Sequence, residues 1–165
     1  MRIIVRLILL AVLLALGFWL WTFLFPNPQK VIRDRLNKIA RLASFSGNEG
    51  NFSRVAAVEK LGAYFTDEIE VKVDVPHEET VTFNRREELM QAALSARSAL
   101  SALKVDFPDI NDDVDPGKLS ATADVTLRAD INGEKNALIQ ELKFYLKKVD
   151  GKWLIYRLDT VRTLR

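Results

Sequence analysis

The side chains that most often carry out chemistry in enzymes are scarce in this chain of 165 residues. It has no cysteine, which excludes a thiolate nucleophile, a disulfide framework and a cysteine-ligated zinc site. Its one histidine, His77, lies in a Pro-His-Glu-Glu turn without a helix-spaced second histidine. No glycine-rich phosphate loop is present. We therefore expect neither a metal site nor a cofactor, and a Ser–His–Asp triad would depend on this turn histidine.

The charges are distributed unevenly along the chain. The first 25 residues contain only Arg2 and Arg6, which leaves 22 basic and 22 acidic residues after Pro26. A protein that binds nucleic acid by neutralising phosphates needs a net positive surface. The neutral balance after Pro26 therefore disfavours a nucleic-acid partner, although a local basic patch could still exist.

An uncharged apolar segment predicts a membrane anchor at the N-terminus. Leu7–Phe25 contains 19 residues without a charge, and a helix of that length spans roughly 28 Å, close to the thickness of a hydrocarbon core. The alternative, a cleaved signal peptide, needs small residues at a cleavage site, whereas this stretch ends in bulky residues. We expect residues 1–28 to be an anchor and spacer in the lipid bilayer, and residues 29–165 to be the folded domain.

The charges on the two flanks of the span favour opposite orientations in the membrane. Arg2 and Arg6 favour a cytoplasmic N-terminus, which would place the domain outside. A second set of bases follows the span and favours the opposite orientation: Lys30, Arg33, Arg35, Lys38 and Arg41. Long domains can cross despite such flanks, and we expect the domain on the extracytoplasmic side. The basic stretch could then contact anionic headgroups.

Periodicity after the anchor predicts an α+β domain. Apolar residues at helical spacing predict helices over Gln29–Ala43 and Phe52–Phe65. A third helix is expected after Asn84, with Asn84 as N-cap and Glu87 completing a capping box. Alternating residues and turn signals predict six strands and one turn cluster. The strands are 69–75, Thr80–Phe83, Lys104–Ile110, Leu119–Ile131, Ala137–Val149 and Trp153–Leu164, and the turn cluster is Asn111–Lys118.

Strand alternation indicates which polar side chains could face the interior. Asp74 shares a face with Glu70 and Lys72, opposite a row of valines, so we expect it to face solvent. Asp124 points away from the apolar side in the same manner. Gln140 is the polar exception on a predicted inner face, and it can be a ligand contact or a hydrogen-bonded core residue. We therefore predict a concave face without a proton-transfer group.

Three alanines suggest space under the predicted sheet. Ala121, Ala123 and Ala129 share the inner face of one strand. Either helices pack closely against them or the space forms an apolar pocket for a hydrophobic small molecule.

Three segments resemble the nuclear transport factor 2-like (NTF2-like, also SnoaL-like) superfamily. Leu61–Val75 leads from a helix through an aromatic-rich turn into a strand. Asn84–Leu89 is similar to the Gly-Arg-x-x-Leu entry of that family's third helix, with asparagine in place of glycine. Lys148–Ile155 resembles the family's final hairpin. The resemblance implies a cone of three helices packed on a curved, mainly antiparallel sheet.

The resemblance also implies where a pocket would lie, between the helices and the curved sheet. Ketosteroid isomerases of this superfamily hold a carboxylate or tyrosine in an apolar cavity, where desolvation tunes its pKa. The candidate pocket residues here are Tyr64, Gln140, Tyr156, Arg157 and Asp159. Either face of the last strand could point inward, so Arg157 and Asp159 are either a pair at the pocket mouth or a surface pair.

These features favour a membrane-tethered NTF2-like binding or assembly module without catalytic residues. Two alternatives remain, a small isomerase or lyase of the ketosteroid isomerase type and a carrier of an apolar ligand. Many proteins of this fold dimerise through the outer face of the sheet. That face is polar here, so we expect any homodimer or protein partner to bind through polar contacts.

Overall fold

The computed structural model describes residues 11–17, 19, 27–74 and 80–161. Three helices and seven strands lie within residues 27–74 and 80–161. The helices are α1 (Pro28–Ala43), α2 (Asn51–Gly62) and α3 (Arg86–Ala99). The strands are β1 (Phe45–Ser46), β2 (Phe65–Val73), β3 (Val81–Arg85), β4 (Ala102–Val114), β5 (Ser120–Ile131), β6 (Glu134–Val149) and β7 (Lys152–Thr160).

The strands form one mixed sheet in the order β1-β4-β5-β6-β7-β2-β3. Only β2 and β7 pair in parallel, and the other described pairs are antiparallel. The long strands β4 to β7 form the centre. Their inward side chains include Val125, Phe144, Leu146 and Ile155, each at most 2% exposed. The predicted α+β class with a mainly antiparallel sheet is confirmed.

Helix α1 covers this inner face because its apolar residues recur at helical spacing. Ile32, Leu36, Ile39 and Ala40 are buried, and the first two have no exposed surface. The helix begins at Pro28, one residue before the predicted Gln29. Pro28 occupies the first turn, and the side chain of Asn27 accepts a hydrogen bond from the Gln29 N–H at 3.0 Å. Ala121 and Ala123 lie in the same buried cluster as Ile32 and Leu36, so side chains of α1 pack near these small residues.

Two tight turns connect the last three strands as predicted. Asn132 and Gly133 have φ values of 52° and 88°, and Asp150 and Gly151 have 49° and 78°. A two-residue hairpin turn with both central φ angles positive is favoured by Asn-Gly and Asp-Gly, because glycine has no Cβ to clash. These turns place β5, β6 and β7 side by side.

Three sequence expectations about element boundaries are wrong. Phe65 does not end α2 but begins β2, where its side chain is buried. Asn84 belongs to β3, and the residue before α3 is Arg85. The Asn84 N–H donates to Glu88 at 3.0 Å, so Glu88, not Glu87, supports the helix start. The predicted turn Asn111–Lys118 is strand as far as Val114.

The predicted membrane span Leu7–Phe25 lies largely outside the described residues. Within residues 11–17, 19, 27–74 and 80–161, no helix combines the length and the apolar character that a bilayer crossing requires. Residues 11–17 are helical. Val12, Leu13, Leu14 and Leu16 in this short segment are each more than half exposed.

Candidate functional site

An open pocket of about 560 Å³ lies where the end of α1, the end of α2 and the start of β7 come together. We call it the basic pocket. Its lining residues are Arg35, Lys38, Arg41, Leu42, Lys60, Ala63, Tyr64 and Lys152. Five of these eight side chains are cations, and none is a carboxylate. The volume falls in the usual range for small-molecule sites.

The helical repeat of α1 brings three of the cations to the pocket. Arg35, Lys38 and Arg41 follow one another at intervals of three residues, so they lie along one side of the helix. Ile32, Leu36 and Ile39 point into the core. The amphipathic pattern that buries α1 against the sheet therefore also orders its cations along the pocket.

Tyr64 joins the other two elements of the pocket. Its carbonyl accepts a hydrogen bond from the Ile155 N–H at 2.9 Å, which fixes the end of α2 against β7. This contact brings Lys60 and Lys152 toward the same opening, although they are far apart in sequence. Their approach carries no local sequence signal, because it depends on how α2 meets β7.

Arg35 and Tyr64 form the partly buried side of the pocket. The guanidinium carbon of Arg35 lies 4.7 Å from the centroid of the Tyr64 ring, a cation–π distance. Burial lowers the pKa of Arg35 from its ordinary value, and the nearby Tyr64 opposes that change. Arginine nevertheless stays charged in proteins. The pair therefore presents a fixed cation beside an aromatic surface.

The structure does not bring the predicted pocket residues together. Tyr64 lines the basic pocket, whereas Arg157 and Asp159 lie on the outer face of the sheet. An irregularity in the pairing of β6 and β7 lies between Ile155 and Arg157, and Leu158 is buried where strict alternation from Ile155 would expose it. Alternation alone could not resolve this strand, because the bulge changes which residues face inward.

Arg157 is held on that outer face by two acids. Its Nε lies 2.7 Å from Asp159 Oδ2 and its Nη1 lies 3.5 Å from a carboxylate oxygen of Glu70. The hydrogen bond to Asp159 raises the pKa of Arg157. The pKa of Glu70 is lowered, chiefly by its hydrogen bond from Lys72 and also by Arg157. These groups form a surface ion-pair network.

Tyr156 lies apart from the basic pocket. Its ring centroid is 6.3 Å from that of Tyr145, and Lys147 Nζ lies 5.5 Å from the Tyr156 ring. It also lines a separate groove with Ala121 and Pro116. That groove lies on another part of the surface from Tyr64.

Strand alternation was used above to predict which way Gln140, Asp74 and Asp124 face, and each of them has a polar partner nearby. Gln140 Nε2 donates to the carbonyl of Asp74 at 2.6 Å, whereas its Oε1 is buried without a hydrogen-bond partner in the described structure. Asp74 Oδ1 accepts from the Thr80 hydroxyl at 2.6 Å. Asp124 is half exposed and lies 3.3 Å from Lys143, as expected for an outward residue.

Asp112 is the inward acid that the sequence interpretation missed. It pairs with the buried Ala123 in the sheet, so both face inward, and its side chain has no exposed surface. The prediction of a concave face without a carboxylate is therefore wrong at this position. Arg33 of α1 donates through Nε to Asp112 Oδ1. The other oxygen, Oδ2, is buried without a hydrogen-bond partner in the described structure.

Metal coordination finds no support in the described part of the chain. Within residues 11–17, 19, 27–74 and 80–161, no three acidic or histidine side chains are grouped as metal ligands. His77, the only histidine, lies outside the described residues.

Comparison with known proteins gives a fold rather than a function. No protein-family model matches the sequence, and no curated protein matches it. A putative scytalone dehydratase from Novosphingobium aromaticivorans has a TM-score of 0.59 at 16% identity, over 82% of this chain and 84% of that one. A protein of unknown function with a cystatin-like fold from Nostoc punctiforme has a TM-score of 0.59 at 14% identity, over 80% of this chain and 88% of that one. A protein named Rd1NTF2_05 has a TM-score of 0.50 at 16% identity, over 78% of this chain and 98% of that one.

The chain has an NTF2-like, cystatin-like fold. The expected superfamily resemblance is supported at this level. Because these neighbours share at most 16% identity with the chain, they carry no assignment of residues to roles. The features of this chain that bear on its function are the basic pocket and the buried Asp112.

Proposed function

We propose that this chain is a membrane-tethered NTF2-like binding module whose ligand occupies the basic pocket. The observation that supports the proposal is the lining of that pocket. Five cations and one tyrosine surround an opening large enough for a small molecule, beside the apolar surface of Leu42 and Ala63. Such a lining can attract, orient and hold a ligand.

The same lining argues against acid–base catalysis in the pocket. A general base has to accept a proton near neutral pH, which carboxylates and imidazoles do readily. The lining residues include neither. Arg35 keeps its charge despite its lowered pKa. We therefore propose binding without chemical conversion.

The tether is proposed from the uncharged segment Leu7–Phe25. Residues 11–17 of this segment are helical. Its leucines are more than half exposed. Exposed leucines on a helix are stable in lipid, where they need no protein partner. In this proposal the segment enters the bilayer and the domain follows at its surface.

Acidic substitutions in the segment should release the full chain from membranes. Leu14→Asp combined with Leu16→Asp is expected to weaken insertion by about 5 kcal/mol, since each charge near the centre of a span opposes insertion. The measurement is the fraction of chain that stays with the membrane pellet after a high-salt wash. Phe52→Asp is the matched control, because Phe52 is also apolar and 88% exposed but lies in α2. Equal retention of the acidic double variant and the wild type would remove the tether from the proposal.

Placement of the domain outside the cytoplasm is a separate part of the proposal. Protease added to intact spheroplasts is then expected to digest the domain. Digestion only after lysis would put it in the cytoplasm instead.

A second candidate, a small isomerase or lyase, is favoured by Asp112 alone. Enzymes of that type use an enclosed carboxylate, and the side chain of Asp112 is enclosed. However, Arg33 already occupies one oxygen of Asp112, and the side chain has no exposed surface for a substrate to contact. For these two reasons we propose the binding module rather than the enzyme.

A further inference from the structure

Seven bases of the domain have ion pairs in the described structure, and the five cations of the basic pocket are among the bases that do not. Within residues 27–74 and 80–161, the structure gives ion pairs to Arg33, Lys72, Arg85, Arg86, Arg97, Lys143 and Arg157. None of these seven lines the pocket.

The five cations that line the pocket have no such ion pair among the described residues. The acids nearest to them in sequence are Asp34, Glu59 and Asp150, and none of the three lines the pocket. Since the chain after Pro26 has equal numbers of acids and bases, this grouping is a local excess of positive charge. A concave surface with one sign of charge concentrates the field on a counter-ion.

We propose that the basic pocket binds a phosphate-bearing anion, an inference that rests on the pocket being the ligand site of the proposed function. Arginine forks match phosphate oxygens in pairs, and lysine ammonium groups add point charges around them. Arg35 is held in place against the Tyr64 ring, so its side chain loses less conformational entropy when a ligand binds.

The uncharged part of the lining indicates an ester rather than a bare ion. Leu42, Ala63 and the Tyr64 ring provide apolar surface beside the cations. A carbon group attached to the phosphate can pack on that surface, whereas a bare ion would leave it in contact with water. The volume of about 560 Å³ also exceeds what a single phosphate fills. We expect a phosphate ester to bind more tightly than inorganic phosphate.

A lipid headgroup and a soluble phosphate ester share this chemistry. At 1.5 Å per residue, Arg35 and Arg41 lie about 10 and 20 Å along α1 from its first residue. A headgroup can therefore reach the pocket if α1 lies along the bilayer, and a soluble ester can reach it in either orientation. The two sources have to be distinguished by experiment.

Lysine reactivity provides a test with an internal control. The full chain is placed in nanodiscs and treated with an amine-acetylating reagent, and the modification of each lysine is measured by mass spectrometry. Lys38, Lys60 and Lys152 report on the pocket. Lys104 and Lys135 are also exposed but lie beside Asp106 and Asp130 in another surface depression, so they are the controls.

Two arms separate the two sources of phosphate. One arm adds inorganic phosphate or glycerol 3-phosphate to nanodiscs of phosphatidylcholine, with sodium chloride at equal ionic strength as reference. The other compares phosphatidylcholine nanodiscs with discs that also contain phosphatidylglycerol. At a ligand concentration of ten times the dissociation constant, about one site in eleven stays empty. The pocket lysines are therefore expected to react roughly tenfold more slowly.

The variants Arg35→Gln and Lys60→Gln are both expected to abolish the protection of the remaining pocket lysines. Lys60 is exposed, so its variant tests the proposal even if loss of the Arg35–Tyr64 contact disturbs the fold. Protection in either arm supports the proposal and identifies the source. Unchanged reactivity in both arms, or equal protection of Lys104 and Lys135, would overturn it.

The proposed tether can fail independently of this result. A chain that washes off membranes can still show phosphate protection in buffer, which would retain the inference and reject the tether. A chain that stays with membranes but shows no protection in either arm would retain the tether and reject the phosphate inference.

Discussion

Arg97→Met is expected to lower the free energy of unfolding by about 4 kcal/mol, a large part of the stability of a domain this size. Arg97 is a buried cation in α3, with 3% of its surface exposed. Its Nη1 lies 2.6 Å from Glu49, and its Nη2 donates to the carbonyls of Leu42 and Ser44. Its guanidinium carbon also lies 4.9 Å from the Phe45 ring centroid.

The size of this effect follows from what methionine leaves unpaired. Methionine fills much of the space but donates no hydrogen bond, so the carbonyls of Leu42 and Ser44 lose a donor in a partly buried place. Each buried polar group without a partner costs about 1 to 3 kcal/mol. These carbonyls lie at and just after the end of α1, so the variant also loosens α3 from that helix. Arg97→Lys should lose somewhat less, because an ammonium keeps the charge but not the planar fork.

Urea unfolding of the full chain in detergent micelles, followed by near-ultraviolet circular dichroism, measures this loss. Glu49→Gln keeps an acceptor oxygen at the more exposed end of the pair, and we expect it to cost about 1 kcal/mol. Arg85→Met removes an arginine whose contact with Glu88 is exposed, and it should leave the unfolding free energy essentially unchanged. Similar losses for Arg97→Met and Arg85→Met would show that burial of Arg97 contributes nothing.

The contacts of Arg97 also show how far the sequence could predict this fold. Helix α1, the alternation in β5 and β6, and the Asn-Gly and Asp-Gly turns depend on neighbours a few residues away, and all were predicted. The partners of Arg97 lie about 50 residues earlier in the chain. No local period indicates that an arginine on a helix will be enclosed by a loop so distant in sequence.

The same distinction between local patterns and contacts distant in sequence explains which residues of the basic pocket could be predicted. The superfamily resemblance makes Tyr64 a candidate pocket residue, and Tyr64 lines the basic pocket. The three cations of α1 have a spacing that can be seen in the sequence, but Lys60 and Lys152 join them only through the packing of α2 against β7. Arg157 and Asp159 could not be placed, because the irregular pairing near Tyr156 interrupts the alternation on which the prediction depended.

The second large effect concerns Arg33 and Asp112, which lie 79 residues apart in sequence and join α1 to β4. Arg33→Ala is expected to lower the free energy of unfolding by about 3 kcal/mol, because it leaves the carboxylate of Asp112 enclosed without its cation. Asp112 has no exposed side-chain surface, whereas Arg33 is 53% exposed. Asp112→Leu alone should therefore cost much less, since the freed guanidinium can turn toward water.

The double variant Arg33→Met with Asp112→Leu is expected to be at least as stable as the wild type. Burying the Asp112 carboxylate removes its charge from water, whereas Arg33 stays half exposed. Well-packed apolar side chains of similar volume often replace a buried ion pair without loss of stability. Asp112 Oδ2 strengthens this expectation, because it is buried without a partner in the described structure. The measurement is the same urea titration, with Arg33→Ala, Asp112→Leu and the double variant compared under identical conditions.

An ion pair that adds no net stability can still fix the position of α1 on β4. Sliding α1 along the strand would remove Arg33 from Asp112 and leave the buried carboxylate alone, so the pair penalises alternative packings more than it favours the native one. The double variant should then keep its unfolding free energy but exchange the amide protons of α1 faster. If instead it loses as much stability as Arg33→Ala, the pair itself stabilises the fold and this explanation fails.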